Sequence, residues 1–356
     1  TKLVQTIKKK NIQKINGNII ILKTHFDDIE KVPGTVWDEV DSCYATAVSD
    51  VSLDKNCFLL TLLKMNNHVV QYSPLEDQPI ALDIKIADDC NDKATANTHY
   101  PAYGYGVHLR QNPFSQPETL SGCWSKKLDY IQLKRSIHKP EKSLIHHLKT
   151  AVQQQGLQLT GHYIISRTPP PKRHLALWKV KQHSEPLETL IHTMLVKSDN
   201  HIANQLYKES AYQAMQKKAT WENAQRHAQK VLSMYQLNDE DSSIVDGAGL
   251  SRNNRVTADQ LHRSLIAIYR TPKLKHLIKH FAHAKDEEST LKTRMQDIDI
   301  PIYAKTGYLN GVTSIIGYID PFGNHPKAFT IVANGNKTLN KLYLSLEQSL
   351  MTAIAE

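Results

Sequence analysis

Three consecutive prolines, Pro169–Pro171, stand in the middle of the chain, within Thr168-Pro169-Pro170-Pro171-Lys172-Arg173. Consecutive prolines lack N–H donors and fix φ, so neither a helix nor a central strand can run through them. The run marks a boundary along the chain, and 356 residues suggest two or three domains.

The two sides differ in texture. Before the prolines the pattern is of short strands broken by turn residues, as at Pro101–Gly106 and Asn112–Pro117. Residues 1–10 read as a helix, and Ile15-Asn16-Gly17-Asn18-Ile19 reads as a tight hairpin turn between two apolar runs. One helix interrupts this half, Ser143–Gln155, with Gly156 as its C-terminal glycine. Beyond the prolines, Ser184-Glu185-Pro186 signals a helix start, with Ser184 as N-cap. Helical periodicity follows through Leu190, Met194, Leu195, Ile202 and Leu206, and again over 221–235 and 258–282. Ile300–Lys305, Thr313–Ile319 and Ala328–Ala333 then read as successive antiparallel strands, and Leu339–Ala355 as an amphipathic closing helix. A helical cluster, a meander and a covering helix predict an α+β fold. The expected organisation is β-rich domains over 1–170 and a second domain over 171–356.

All four cysteines, Cys43, Cys57, Cys90 and Cys123, fall in the first part, with no CxxC spacing. An even count confined to one region predicts two disulfides and an oxidising compartment, with four buried free thiols as the competing reading. Chain order favours Cys43–Cys57 and Cys90–Cys123 among three possible pairings.

The formal charge of +9 invites an anionic partner, but the basic residues are scattered. The one tight run, Lys8-Lys9-Lys10, has no interleaved aromatics and reads as a solvated helix end, so no nucleic-acid partner is expected. No apolar run reaches membrane-spanning length. The chain opens at Thr1 without a secretory leader and reads as a processed or partial product. His276 and His280 have an i,i+4 spacing but no HExxH, and Lys275 and Lys279 beside them suggest a solvated face; no metal and no organic cofactor is expected.

Three short stretches carry chemistry only as a set. Ser198-Asp199-Asn200 lies where one helix breaks and the next begins, and alone it is a helix cap. Asp246-Gly247-Ala248-Gly249-Leu250-Ser251-Arg252 is a glycine-rich loop between helices. Lys305-Thr306-Gly307 ends a strand, where glycine alone would merely mark a turn. An S-x-N triplet arises by chance about once in a chain this long, and Ser251-Arg252-Asn253 is a second one. Order and context together carry the weight.

S-D-N and K-T-G, with an upstream S-x-x-K, are the signature of penicillin-binding proteins and class A β-lactamases. Around them the chain resembles the DacB-type D-alanyl-D-alanine carboxypeptidase/endopeptidases, the penicillin-binding protein 4 family. LVKSDNHIANQLYK (195–208), VDGAGLSRNN (245–254) and YAKTGYLNGVTSIIGYI (303–319) carry the resemblance, joined by KKKNIQKINGNIII (8–21) and DKNCF (54–58). It implies a penicillin-binding-protein/β-lactamase-like peptidase domain interrupted by β-rich inserted domains. It also implies a periplasmic location, peptidoglycan stem peptides as substrate, β-lactams as covalent inhibitors of the full-length parent, and room for envelope protein partners. By the same resemblance Ser198 relays a proton, and Asn200 holds the substrate amide and steadies an upstream lysine. Lys305 and Thr306 face the substrate carboxylate, Gly307 lets the peptide lie along the strand, the Tyr308 N–H serves the oxyanion hole, and Arg252 lies near the substrate carboxylate. Tyr308, Asn310 and Ala248 depart from the family's usual Ser, Gln and Ser, which bears on substrate preference more than on reaction type.

The family's nucleophile would precede Thr1. Ser52–Lys55, Ser136–Lys139 and Ser289–Lys292 match S-x-x-K by spacing, but none reads as a serine opening a buried helix with Lys one turn on. A non-catalytic peptidoglycan-binding or scaffold component with the same fold is the rival reading. A β-lactamase is a third, less suited to a large disulfide-bearing insertion.

Overall fold

The computed structural model describes residues 2–36, 39–65, 68–72, 80–88, 90, 107–110, 118–169, 180–292, 294–295, 298–335 and 340–355. The expected turns at Pro101–Gly106 and Asn112–Pro117, and the proline run beyond Pro169, lie outside these residues. The chain divides into two compact units, Thr1–Lys181 and Gln182–Glu356.

The first unit opens with α1 (Lys2–Lys9), β1 (Lys14–Ile15) and β2 (Ile19–Leu22). The strands β3 (Cys57–Met65), β4 (His68–Tyr72), β5 (Ile80–Ala87), β6 (Val107–Arg110), β7 (Glu118–Ser125) and β8 (Tyr130–Ser136) follow. It closes with α2 (Pro140–Gln154), β9 (Gln158–Leu159) and β10 (Tyr163–Ser166). Strand β3 lies between β4 and β8 in one antiparallel sheet, while β7 lies between β5 (parallel) and β6 (antiparallel) in another. Alternate residues of both sheets meet in one core: Phe58, Leu60 and Leu62 of β3, Val107 of β6, Leu120 and Trp124 of β7, and Ile131 and Leu133 of β8. Two disulfides tie this part, Cys43–Cys57 and Cys90–Cys123, each with Cα atoms 5.4 Å apart.

The turn expected at Asn16-Gly17 does not form a hairpin. β1 pairs in parallel with β9 and β2 in parallel with β10, so residues 14–22 run alongside 158–166. The Asn18 side chain explains the difference: its carbonyl oxygen accepts from the His162 N–H at 2.8 Å, and the Ile19 N–H donates to the His162 carbonyl at 2.9 Å. Those long-range bonds hold the chain straight where local turn chemistry alone would reverse it. Helix α2 starts three residues earlier than expected, at Pro140, because proline fits a first helical turn, and it ends before Gly156, whose φ is +62°.

The disulfides carry a measurable part of this unit's stability. The bridges close loops with sequence separations of 14 and 33 residues, and each is expected to contribute about 3 kcal/mol, chiefly by constraining the unfolded chain. Urea unfolding with and without reductant should show the first unit losing midpoint on reduction while the cysteine-free second unit holds its own. An unchanged midpoint for the first unit would contradict this.

The second unit comprises α3 (Leu187–Lys197), α4 (Asn200–Met215), α5 (Trp221–Met234), α6 (Ala258–Arg270) and the short α7 (Pro272–Lys275). Then come β11 (Ala282–His283), β12 (Ile302–Leu309), β13 (Val312–Ile319), β14 (Lys327–Asn334) and α8 (Asn340–Ala355). The four strands form one antiparallel sheet in chain order. Their alternation feeds two cores. Ile302, Ala304, Ile315, Ile319 and Phe329 pack with Met351 of α8 on one side, and Tyr318 with Leu265 of α6, Ile278 and Phe281 on the other. A fold of helices and antiparallel sheets is thus in place, α+β as expected.

Two sequence expectations change here. Ser184 does not cap α3; its hydroxyl donates to the Glu185 carbonyl at 3.1 Å, and Pro186, extended at ψ 148°, occupies the N-cap position. The periodicity over 258–282 is not one helix, because Pro272 removes a helical donor and α6 stops at Arg270.

Candidate active site

Two helices meet at Ser198. It closes α3 in the left-handed conformation (φ +53°, ψ +50°), its N–H bonding back to Met194. Such a conformation at a non-glycine residue costs roughly 1 kcal/mol and is a common helix ending, since Gln216 closes α4 in the same way (φ +53°, ψ +33°). Asp199 caps α4 through a 3.0 Å bond from the Ile202 N–H. Asn200 is the first residue of α4 and is half-buried. The cap reading of Asp199 is therefore correct, and it frees Ser198 for another role.

Lys305 meets Ser198: its ammonium donates to the Ser198 hydroxyl, and also to the Thr306 carbonyl at 2.8 Å. The K-T-G triplet does not end its strand. Pairing runs from Lys305↔Ile316 through Gly307↔Ser314 to Leu309↔Val312, so the triplet lies inside β12 and the turn comes at Asn310-Gly311. A Cβ at Gly307 would come within 2.4 Å of the Ser314 hydroxyl, a side-chain end that can rotate aside. On its other edge β12 pairs with β11 only at Tyr303 and Ala304. Among the described residues no strand pairs with that edge from Lys305 to Leu309, which leaves it open to an extended peptide.

The electrostatics of Lys305 follow from burial. Its ammonium is pushed down to about 8, first by withdrawal from water and second by the nearby Arg294 charge. Arg294 is itself mostly buried and pairs with Glu347 of α8 at 3.3 Å. Burial raises the Glu347 carboxyl above its usual range and lowers the Arg294 guanidinium. Thr306 donates to the Thr290 hydroxyl at 2.8 Å. Thr290 lies within the Ser289–Lys292 match, which pointed to a serine and a lysine rather than to it, and Arg294 and Glu347 sit in no motif.

The glycine loop is clamped onto α4. Asn204 accepts from the Gly247 and Ala248 N–H groups at 2.9 and 3.1 Å, and the Tyr207 hydroxyl donates to the Ile244 carbonyl at 2.6 Å. Asp246, 2% exposed, accepts from the Gly249 and Leu250 N–H groups at 3.1 and 3.2 Å. Asn254 closes the loop by accepting from Val245 N–H at 2.6 Å and donating to Asp246 at 2.5 Å. Arg252 stands exposed on this loop and, among the described residues, makes no hydrogen bond or ion pair with Ser198 or Lys305.

The three S-x-x-K matches have other surroundings. Ser136 ends β8, buried, and accepts from Lys31 at 2.9 Å. Ser289 is buried in a loop and accepts from the Leu291 N–H at 3.0 Å, and Ser52 is exposed before a short 3₁₀ turn. None opens an α-helix. His280, half of the i,i+4 pair, bonds Glu188 at 3.1 Å, and Lys279 pairs with the same carboxylate at 2.8 Å.

Compared whole, the chain has the penicillin-binding-protein fold. The crystal structure of penicillin binding protein 4 (dacB) from Haemophilus influenzae matches with a TM-score of 0.82 at 22% identity, covering 100% of this chain and 78% of that one. The same Haemophilus protein complexed with a β-lactam matches at 0.76 and 20% identity, over 100% and 78%. The profile of the D-Ala-D-Ala carboxypeptidase 3 (S13) family matches residues 1–352, and the chain belongs to that family. Among curated relatives, D-alanyl-D-alanine carboxypeptidase DacB of Haemophilus influenzae is 24% identical over 344 residues, 94% of this chain and 68% of DacB.

Proposed function

We propose that this chain is the larger part of a serine D-Ala–D-Ala carboxypeptidase/endopeptidase that cleaves peptidoglycan stem peptides through an acyl-serine, its nucleophile carried by an S-x-x-K segment upstream of Thr1. The observation that carries the reading is the bond between Lys305 and Ser198, two residues 107 apart in sequence. The pair joins two of the three motifs beside a strand edge with which, among the described residues, no strand pairs from Lys305 to Leu309. Membership of the S13 family supports the same reaction class.

In this mechanism the extended stem peptide adds along the free edge of β12. Its terminal carboxylate faces the Lys305 ammonium and the Thr306 hydroxyl, and Asn200 holds the substrate amide. The upstream serine attacks the D-Ala carbonyl, the C–N bond breaks, and the serine's proton reaches the leaving amine through the Ser198 hydroxyl, which accepts one proton as it gives another. The Tyr308 N–H stabilises the oxyanion. Water then cleaves the ester and restores the serine. Arg252, exposed on the glycine loop, is placed near the substrate carboxylate in this reading. Residues 1–170 form β-rich inserted domains of the peptidase domain that 171–356 complete, and the two disulfides support a periplasmic protein.

A labelled penicillin tests the reading, since its strained amide mimics the substrate and the β-lactam-bound Haemophilus relative shares the fold. The full-length protein should be acylated at a serine before Thr1, and the 1–356 fragment should stay unlabelled. Peptidoglycan binding without acylation at any concentration would replace the enzyme with a scaffold of the same fold.

A further inference from the structure

We propose that Thr290 is a positioning residue for the substrate carboxylate, completing a two-hydroxyl chain through Thr306; the inference rests on the peptidase reading above. Thr306 has a single hydroxyl hydrogen, and in this structure it is donated to Thr290 at 2.8 Å. A hydroxyl so engaged cannot also donate to an anion. When a carboxylate arrives, Thr306 turns its hydrogen outward and Thr290 donates to Thr306 in return. The result is a polarised chain, Thr290 to Thr306 to carboxylate, in which each bond strengthens the next.

The segment bearing Thr290 is fixed well enough for this. Its N–H donates to the Val196 carbonyl at 3.4 Å, in the last turn of the helix that Ser198 closes. Two residues earlier, Glu288 pairs with Lys197 at 2.7 Å. The next residue, Leu291, is fully buried in the core beneath the sheet. Thr290 thus spans the two motif-bearing elements, while its own side chain remains half-buried and within reach of water. A hydroxyl needed only to fill space would not require this pairing with the β12 hydroxyl that the mechanism asks to donate.

The test uses the full-length protein with Thr290→Val and Thr290→Ser, on a D-Ala–D-Ala peptide and on the same peptide as its C-terminal amide. Thr290→Val should raise KM for the free carboxylate about tenfold with kcat nearly unchanged. It should change the amide reaction less than twofold, and Thr290→Ser should restore the wild-type KM. An equal loss on both peptides, or no rescue by serine, would mean a structural role and overturn the proposal. Should the wild type cleave neither peptide, the peptidase reading falls, and Thr290 is judged by binding of acetyl-D-alanine against acetyl-D-alaninamide. Weaker binding of the acid alone in Thr290→Val supports it; equal binding in wild type and variant overturns it.

Discussion

Replacing Lys305 by methionine in the full-length protein is expected to lower kcat/KM on a D-Ala–D-Ala peptide by roughly two to three orders of magnitude, the scale of losing one fixed charge at a developing site. The fold should be as stable as before, or more so. Lys305 is held to about 8 by burial and by the Arg294 charge, so the charged form is disfavoured in the folded protein. Methionine keeps the length and removes the charge, and after discounting for partial exposure the gain is about 1 kcal/mol. The sign follows from linkage. The folded group binds its proton less firmly than the unfolded one, so stability rises with pH between about 8 and the ordinary lysine value of 10.5. Activity runs the other way, because the carboxylate needs the ammonium and kcat/KM should fall as pH climbs past about 8. Lys305→Met should abolish both slopes. A loss of several kcal/mol in urea unfolding would instead make Lys305 structural and remove it from the site.

The parts of this architecture that are local in sequence were legible from it. Helix starts at Thr220 and Thr257 repeat the capping chemistry of Asp199, accepting from N–H groups three residues on at 3.0 Å in each case. The meander over β12–β14 announced itself by alternation and short connections, and the cysteines paired in chain order. What escaped was non-local. The Asn16-Gly17 signal was outvoted by partners at 158–166, more than 140 residues on, which no local pattern contains. Gly307 read as a strand end because glycine weakens strands, yet Tyr308 and Leu309 carry the ladder two residues farther against Thr313 and Val312. The motif residues Ser198 and Lys305 were readable as types at their spacing, whereas Thr290, Arg294 and Glu347 reach the same site singly from a loop and a helix. The sequence showed the glycine loop but not its clamp, because Asn204 reads as an ordinary polar helix residue until the loop is seen lying across it.

That clamp sets up the second large effect. Gly247→Ala should cost about 3 kcal/mol or more, whereas Gly249→Ala, two residues on, should cost about 1 kcal/mol. A Cβ at Gly247 would stand 2.5 Å from the Ala203 carbonyl oxygen, 2.7 Å from the Tyr207 Cβ and 2.9 Å from the Ala203 carbonyl carbon. These atoms belong to the body of α4 and cannot rotate aside, so helix and loop must separate, stretching both Asn204 bonds. Gly249 has the opposite problem: a Cβ there meets nothing within 4 Å, and only its φ of +76° penalises a side chain. The contrast reaches function because α4 begins at Asn200, adjacent to the capping Asp199 and two residues from Ser198. Gly247→Ala should therefore slow penicillin acylation of the full-length protein as well as lower its unfolding midpoint, while Gly249→Ala leaves acylation within about twofold. Equal destabilisation by the two alanines would show that backbone strain, and not the close approach of loop to helix, governs this turn; an unaltered acylation rate in a destabilised Gly247→Ala would separate the loop from the Ser198 junction.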